Sequence, residues 1–260
     1  MRLWTLPRTY LCLDDDVCPG VHQPLRVSVA PVSVAADMMG TCTFPSALRP
    51  APTPCQKGRI PYDIQAPVLL LHTVQSEEAF EELCTTGRIV PKPALAAPGK
   101  EDAYSWLYRQ MNNRLPTRGD GALWFWARIR RRDLISQCGW ADGGVLLTCR
   151  VRREDALLTQ YDNWHQVLNH SPAAAPLTHE SEDVYRKRFD DQLDDFFARV
   201  SASGQWGHKV SDWPENFQHE IKATWEQIMH PANYRKTVYW QATTHELRAE
   251  NVTEAVHLKK

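Results

Sequence analysis

An abrupt change in proline and glutamate content divides the chain early and limits where a packed domain can form. Ten of the eighteen prolines lie at or before Pro67, and the first glutamate is Glu77. Proline lacks a backbone N–H and fixes φ, so a stretch such as residues 46–54 (SALRPAPTP) sustains neither a helix nor an inner strand. The sequence therefore predicts an irregular, disordered extension over residues 1–64 and a single domain over residues 65–260. The alternative for the extension is a small separate binding element.

The overall composition is that of an ordinary globular chain. Apolar residues make up 43% and charged residues 23%, and the formal net charge is -1. A dedicated nucleic-acid surface usually brings a strong basic excess, which this chain lacks. No stretch approaches the roughly 20 consecutive apolar residues of a membrane helix, and the N-terminus lacks the apolar run of a signal peptide. We therefore expect a cytoplasmic protein without a membrane partner.

The spacing of cysteine and histidine predicts no metal site. The seven cysteines include no C-x-x-C pair, and an odd number cannot form a complete set of disulfides. No H-E-x-x-H or related histidine spacing occurs either. A metal-dependent hydrolase would need three ligands in one pocket, so reduced, structural thiols and no bound metal are the expectation.

Hydrophobic periodicity from Pro67 onward predicts an α+β domain with a mixed or antiparallel sheet and several helices. The chain begins and ends in apolar strand patterns with amphipathic segments between them, which is typical of this class. Ser76 is placed to cap the first helix and Gly87 to end it. The predicted strands are 68–73, 122–128, 143–151, 156–158, 238–243 and 252–258, and the predicted helices are 77–87, 101–113, 162–169, 180–200 and one that Ser211 or Asp212 caps.

The segment 160–170 (QYDNWHQVLNH) collects acid, amide, indole and imidazole groups in eleven residues. Asp162 suits a helix N-cap, and the helix then places His165 and Asn169, four residues apart, on one face. These two side chains can grip a ligand, with the histidine as acid or base. The alternative is a capped helix in which Trp164 packs and His165 bonds a local carbonyl.

The domain is rich in tryptophan, and Trp124 and Trp126 share one face of a predicted strand. Because an indole buries a large area and needs a single partner for its N–H, we expect most of these residues in the core. The alternative is that one or two of them line a cleft for a flat ring, such as nicotinamide or a base.

Six sequence blocks, taken in order, resemble a bacterial family catalogued only as a conserved domain of unknown function. Members of that family typically begin with "lwTvQs", carry "aYdWl..QM" and "dfd.WH.vLN", and end on "iQat..eL". The resemblance covers residues 68–258, and family members start almost directly at the first block. The blocks here are HTVQS at 72–76, AYSWL at 103–107 with QM at 110–111, LWFW at 123–126, YDNWH at 161–165 with VLN at 167–169, ATWE at 223–226, and QATTHEL at 241–247.

The first and last blocks together also resemble the outer parts of the ADP-ribosyltransferase fold. The resemblance implies that an early strand, here with His72, Thr73 and Gln75, contacts a nicotinamide dinucleotide, so that NAD is the substrate. It also implies that a late glutamate, here Glu246, offsets the positive charge that glycosidic cleavage builds on the sugar. The middle tyrosine or Ser-Thr-Ser strand of that fold is not identifiable in this chain.

The resulting functional prediction is an ADP-ribosyltransferase-like enzyme that modifies a nucleotide, a nucleic acid or a protein. The alternative is a non-catalytic module that binds a ligand or a partner. The predicted site takes Glu246 and His165 as catalytic residues, and it takes His72, Thr73, Gln75, Gln110, Asn169 and Gln241 as contacts to the dinucleotide.

Overall fold

The computed structural model describes residues 62–92, 99–140, 144–175, 177, 179–204, 209–231, 234 and 239–258. The predicted extension over residues 1–64 therefore lies outside the described residues up to residue 61. Its last part is packed, because Ile64 is buried in the core and the ring of Tyr62 lies against His72. The packed region thus includes residues just before position 65.

The described residues form eight strands and six α-helices. The strands are β1 (Val68–Gln75), β2 (Arg88–Ile89), β3 (Leu123–Arg128), β4 (Gly144–Arg152), β5 (Leu157–Gln160), β6 (Trp240–Thr244), β7 (Leu247–Arg248) and β8 (Val252–Leu258). The helices are α1 (Glu77–Thr86), α2 (Glu101–Arg114), α3 (Arg131–Trp140), α4 (Tyr161–Leu168), α5 (Glu182–Ala202) and α6 (Glu215–Trp225).

Six of these strands form one sheet in the order β5-β6-β3-β1-β4-β8, and every neighbouring pair is antiparallel. The strands β2 and β7 form a separate antiparallel pair. The predicted α+β class with an antiparallel sheet is therefore confirmed. None of the described helices is both long enough and apolar enough to cross a membrane.

Each face of the sheet packs against different helices. One face carries Leu71, Phe125 and Leu147 and packs with Leu83 of α1. On the other face, Trp124 joins a cluster formed mainly by α2, α4, α5 and α6. The sheet therefore lies between helices on both sides, which explains why β4 is apolar along most of its length.

Local sequence chemistry explains the boundaries of α1. The Ser76 hydroxyl accepts a hydrogen bond from the Ala79 N–H at 3.2 Å, as an N-cap does. Gly87 takes the left-handed conformation at φ 79°, and its N–H donates to the Leu83 carbonyl. Both predictions for this helix are confirmed.

Two predicted helix starts are wrong. The helix α4 begins at Tyr161, so Asp162 lies in its first turn and Gln160 takes the cap position. The reason is that β5 runs directly into the helix, and Asn163 Nδ2 holds Gln160 by donating to its side-chain oxygen at 2.6 Å. Likewise, Pro214 precedes the first residue of α6, and Ser211 and Asp212 belong to a short 3-10 turn before it.

Candidate functional site

One row of residues crosses all six strands of the main sheet on the same face. Each member is the direct cross-strand partner of the next, and direct partners in an antiparallel sheet project to the same side. The row therefore presents five polar side chains and one indole. We call it the polar row, and its members, in strand order, are Thr159, Gln241, Trp126, His72, Thr148 and Glu254.

Four members of the polar row carry a buried atom that no described residue hydrogen-bonds. These atoms are Thr159 Oγ1, Gln241 Oε1, His72 Nε2 and Glu254 Oε2. A buried polar atom without a partner costs about 1–3 kcal/mol, so folded proteins contain few of them. Their alignment in one row makes this face of the sheet the strongest candidate for a binding site in the described part of the chain.

His72 lies near the middle of the row and is held from two sides. Its Nδ1 lies 3.1 Å from Thr148 Oγ1, and the ring of Tyr62 meets the imidazole edge-on at 5.7 Å between centroids. Burial lowers the pKa of His72 to about 4, so the ring is neutral at neutral pH. His72 therefore offers Nε2 as a neutral hydrogen-bonding group.

Glu254, Thr148 and Thr159 are members of the row that sequence reasoning missed. Glu254 is half-buried, and burial raises the pKa of its carboxyl group. It lies on β8 with Val256 and Leu258 at alternate positions, so one carboxylate on an otherwise apolar strand face was the available signal.

Aromatic side chains extend the row toward α4. The rings of Trp126 and Tyr161 lie 4.9 Å apart, and those of Tyr161 and His165 lie 4.5 Å apart. His165 is exposed, and its Nδ1 lies 2.9 Å from the Tyr161 carbonyl oxygen. The structure therefore brings His165 into one cluster with Trp126, whose neighbours in the row are His72 and Gln241.

Thr73 and Gln75 lie apart from this cluster. Thr73 alternates with His72 along β1 and so faces the opposite side of the sheet. Its hydroxyl accepts a hydrogen bond from Gln75 Nε2 at 2.7 Å. The two side chains therefore engage each other.

Gln110 and Asn169 contact other helices and loops. Gln110 Nε2 donates to Glu226 Oε1 at 3.0 Å, while Gln110 Oε1 is buried with no partner among the described residues. Asn169 is exposed, and its side-chain oxygen accepts from Lys100 Nζ at 3.4 Å. Neither residue belongs to the polar row.

Glu246 lies at a separate position. Its carboxylate is ion-paired with Arg248 at 2.6 Å, and it lines a hollow of about 270 Å³. The same hollow is lined by Val151 and Arg152, which pair with the first residues of β1. Gln75 lies at the opposite end of that strand from Glu246. His165 lies near the start of β6, because it contacts Tyr161, whose N–H donates to the carbonyl of Tyr239 just before that strand. Glu246 follows the other end of β6. His72 and Gln241 thus flank Trp126 in the polar row, His165 reaches Trp126 through Tyr161, and Glu246 lies outside this group.

Within the described ranges, no group of three or more histidine, cysteine, aspartate or glutamate side chains is arranged to hold a metal ion. The described cysteines, Cys84, Cys138 and Cys149, form no disulfide with one another. The side chains of the polar row itself offer hydrogen bonding, one carboxylate at Glu254 and ring stacking on Trp126.

Residues 70–253 match a family model described as Domain of unknown function (DUF3841). Neither the search of curated proteins nor the search of solved structures gave a significant match.

Proposed function

We propose a function for this chain, which belongs to the family described as Domain of unknown function (DUF3841). The proposed activity is that of an ADP-ribosyltransferase-like enzyme. It binds NAD, as a substrate, along the polar row and transfers the ADP-ribosyl group to a nucleotide, a nucleic acid or a protein.

The observation that carries this proposal is the position of His72 in the polar row. His72 lies on the first strand, next to Trp126, with its Nε2 buried and unpartnered among the described residues. A neutral imidazole nitrogen suits a hydrogen bond with a sugar hydroxyl, and an indole suits stacking on a flat ring. A nicotinamide ribose contains both groups, joined by the bond that the proposed reaction breaks.

The proposed reaction needs a carboxylate close to the sugar. As the bond between the ribose carbon and the nicotinamide nitrogen breaks, nicotinamide leaves with the bonding electrons and positive charge develops on the ribose. A nucleophilic oxygen or nitrogen of the acceptor then bonds that carbon and loses its proton. Glu254 is the carboxylate in the polar row, whereas Glu246 would have to act from outside it. We therefore favour Glu254 for this role and keep Glu246 as the alternative.

A second candidate function is a non-catalytic module that binds a ligand. The ion pair between Glu246 and Arg248 favours it, because a carboxylate engaged in this way is less available to stabilise a developing charge. The two candidates share the binding site and differ in turnover.

Calorimetric titration with NAD, followed by chromatographic detection of released nicotinamide, tests both candidates. The transferase predicts binding and release, with release lost in Glu254→Gln and retained in the matched variant Glu246→Gln. Loss in Glu246→Gln alone would transfer the role to that residue. Binding without release would establish the module, and the absence of NAD binding would refute both NAD-based functions.

A further inference from the structure

Three oxygen atoms that have no hydrogen-bond partner among the described residues lie on the two strands at one edge of the main sheet. They are Thr159 Oγ1 on β5, and Gln241 Oε1 and Thr243 Oγ1 on β6. Thr159 pairs directly with Gln241, and Thr243 is the next residue of β6 on the same face, so the two threonines are diagonal neighbours. Both threonines are 0% exposed.

The remaining buried threonines of the described chain behave differently. The hydroxyl of Thr148 lies 3.1 Å from His72 Nδ1, that of Thr73 accepts from Gln75, and that of Thr244 donates to the Glu246 carbonyl. A valine of nearly the same shape would remove the cost of an unpartnered hydroxyl. The two hydroxyls that lack a partner among the described residues are diagonal neighbours on one face of the sheet, within reach of a single ligand.

Four aromatic side chains border these oxygens. Trp124 is the cross-strand partner of Thr243, and Trp126 is the partner of Gln241. From α4, Tyr161 lies 4.9 Å from the ring of Trp126 and Trp164 lies 5.1 Å from the ring of Trp124. The oxygens therefore have flat aromatic side chains as their neighbours.

We propose that α4 together with β3, β5 and β6 forms a subsite for a flat, uncharged ring that carries an amide or amino group. Gln241 Oε1 accepts a hydrogen bond, and the hydroxyls of Thr159 and Thr243 accept or donate one. A ligand with N–H donors satisfies all three oxygens, and its ring stacks on the bordering indoles. A carboxylate or phosphate would lose its hydration here without gaining a cation from these side chains, so the subsite disfavours anions.

This inference deepens the proposed function and rests on it for the identity of the larger ligand. Nicotinamide is a flat ring with an uncharged amide, so the subsite would hold that end of the dinucleotide. The positions of the three oxygens and the four rings do not depend on NAD being the larger ligand, so the subsite can be tested with small compounds.

The test is a titration of the full chain with nicotinamide and with nicotinate. These two compounds share the same ring and differ only in its substituent, which is an amide in the first and a carboxylate in the second. We expect saturable binding of nicotinamide and at least about tenfold weaker binding of nicotinate. Thr159→Val and Thr243→Val should each weaken nicotinamide binding by about tenfold, since each removes one hydrogen bond in a buried setting. The matched control is Thr244→Val, which lies on the opposite face of β6 and should leave the affinity unchanged.

Thermal denaturation provides a second measurement of the same variants. Without added compound, Thr159→Val and Thr243→Val should raise the Tm, whereas nicotinamide should raise the Tm of the wild-type chain more than that of either variant. Equal affinity for nicotinamide in the wild-type chain and both variants, or no binding of nicotinamide at all, would overturn the subsite.

Titration with ADP-ribose separates this inference from the proposed function. Binding of ADP-ribose without binding of nicotinamide would overturn the subsite and leave a dinucleotide site at the polar row standing. Binding of nicotinamide that the threonine variants weaken, with no binding or cleavage of NAD, would support the subsite and refute the proposed function.

Discussion

Burial of His72 makes the stability of the domain depend on pH in a way that can be calculated. Burial lowers the pKa of this imidazole from 6.5 to about 4, because the charged ring would have to leave water. On acidification, His72 therefore becomes protonated near pH 6.5 in the unfolded chain but only near pH 4 in the folded chain. The free energy of unfolding must then fall as the pH drops below about 6.5, and the loss is complete near pH 4.

The size of this effect follows from the same shift. One pKa unit corresponds to about 1.4 kcal/mol, so a shift from 6.5 to about 4 gives a loss of about 3 kcal/mol between neutral pH and pH 4. This is a substantial part of the roughly 5–15 kcal/mol that stabilises a typical domain. Other groups titrate in the same range, so the contribution of His72 must be isolated by a difference.

Urea denaturation of the wild-type chain and of His72→Gln, from pH 4 to pH 7.5, gives that difference. The free energy of unfolding of the wild-type chain relative to the variant should fall by about 3 kcal/mol on acidification. His72→Phe serves in the same way if the glutamine variant folds poorly. The control is Thr148→Val, which should cost about 1 kcal/mol at pH 7 by removing the hydroxyl beside Nδ1, while retaining the pH dependence. A difference between wild type and His72→Gln that does not change with pH would refute the reasoning.

Three further predictions address other features of the fold. Gly144→Ala should destabilise the domain by about 2–3 kcal/mol in chemical denaturation. Gly144 has φ 139°, and a Cβ there would lie 2.7 Å from the Gln75 carbonyl oxygen. An unchanged denaturation midpoint would contradict this close approach. Ser76→Ala should cost about 1 kcal/mol by removing the N-cap of α1, and Ser76→Thr should restore most of it in the same assay. Glu254→Gln should stabilise the domain at pH 7, because burial raises the pKa of this carboxyl group and thus disfavours its ionised form in the fold. The gain in the free energy of unfolding should disappear as the pH falls below the ordinary glutamate pKa. Lower stability of the variant at pH 7 would contradict this prediction.

The features that were predicted correctly depend on short-range chemistry. The start and end of α1 follow from Ser76 and Gly87, residues whose side chain and backbone act on their immediate neighbours. The final strand was also predicted with its observed bounds, Val252–Leu258, because its apolar pattern and flanking residues are local signals. In contrast, the start of α4 was misplaced because the preceding strand continues into the helix without the separation that a cap at Asp162 requires.

The polar row was not predictable because it depends on strand register. Its members lie on six different strands, and a shift of one residue in any pairing would turn that strand's side chain to the other face. Sequence reasoning selected His72 and Gln241 from motif resemblance and did not connect them with Thr159 or Glu254. The predicted site also combined Gln75 with Glu246, which lie near the two ends of the domain. The ends do share a sheet, since β1 and β8 both pair with β4, yet Glu246 precedes β8 and lies beside the start of β1.

Calorimetric titration of NAD into the wild-type chain and into His72→Gln tests the central claim, that the polar row is the ligand-binding face, most directly. We expect saturable binding to the wild-type chain and at least about tenfold weaker binding to the variant, since the ligand loses its hydrogen bond to Nε2. Thermal denaturation should show that the variant is folded at the pH of the titration. Equal affinity in the two proteins, or no binding of NAD to the wild-type chain, would contradict the account.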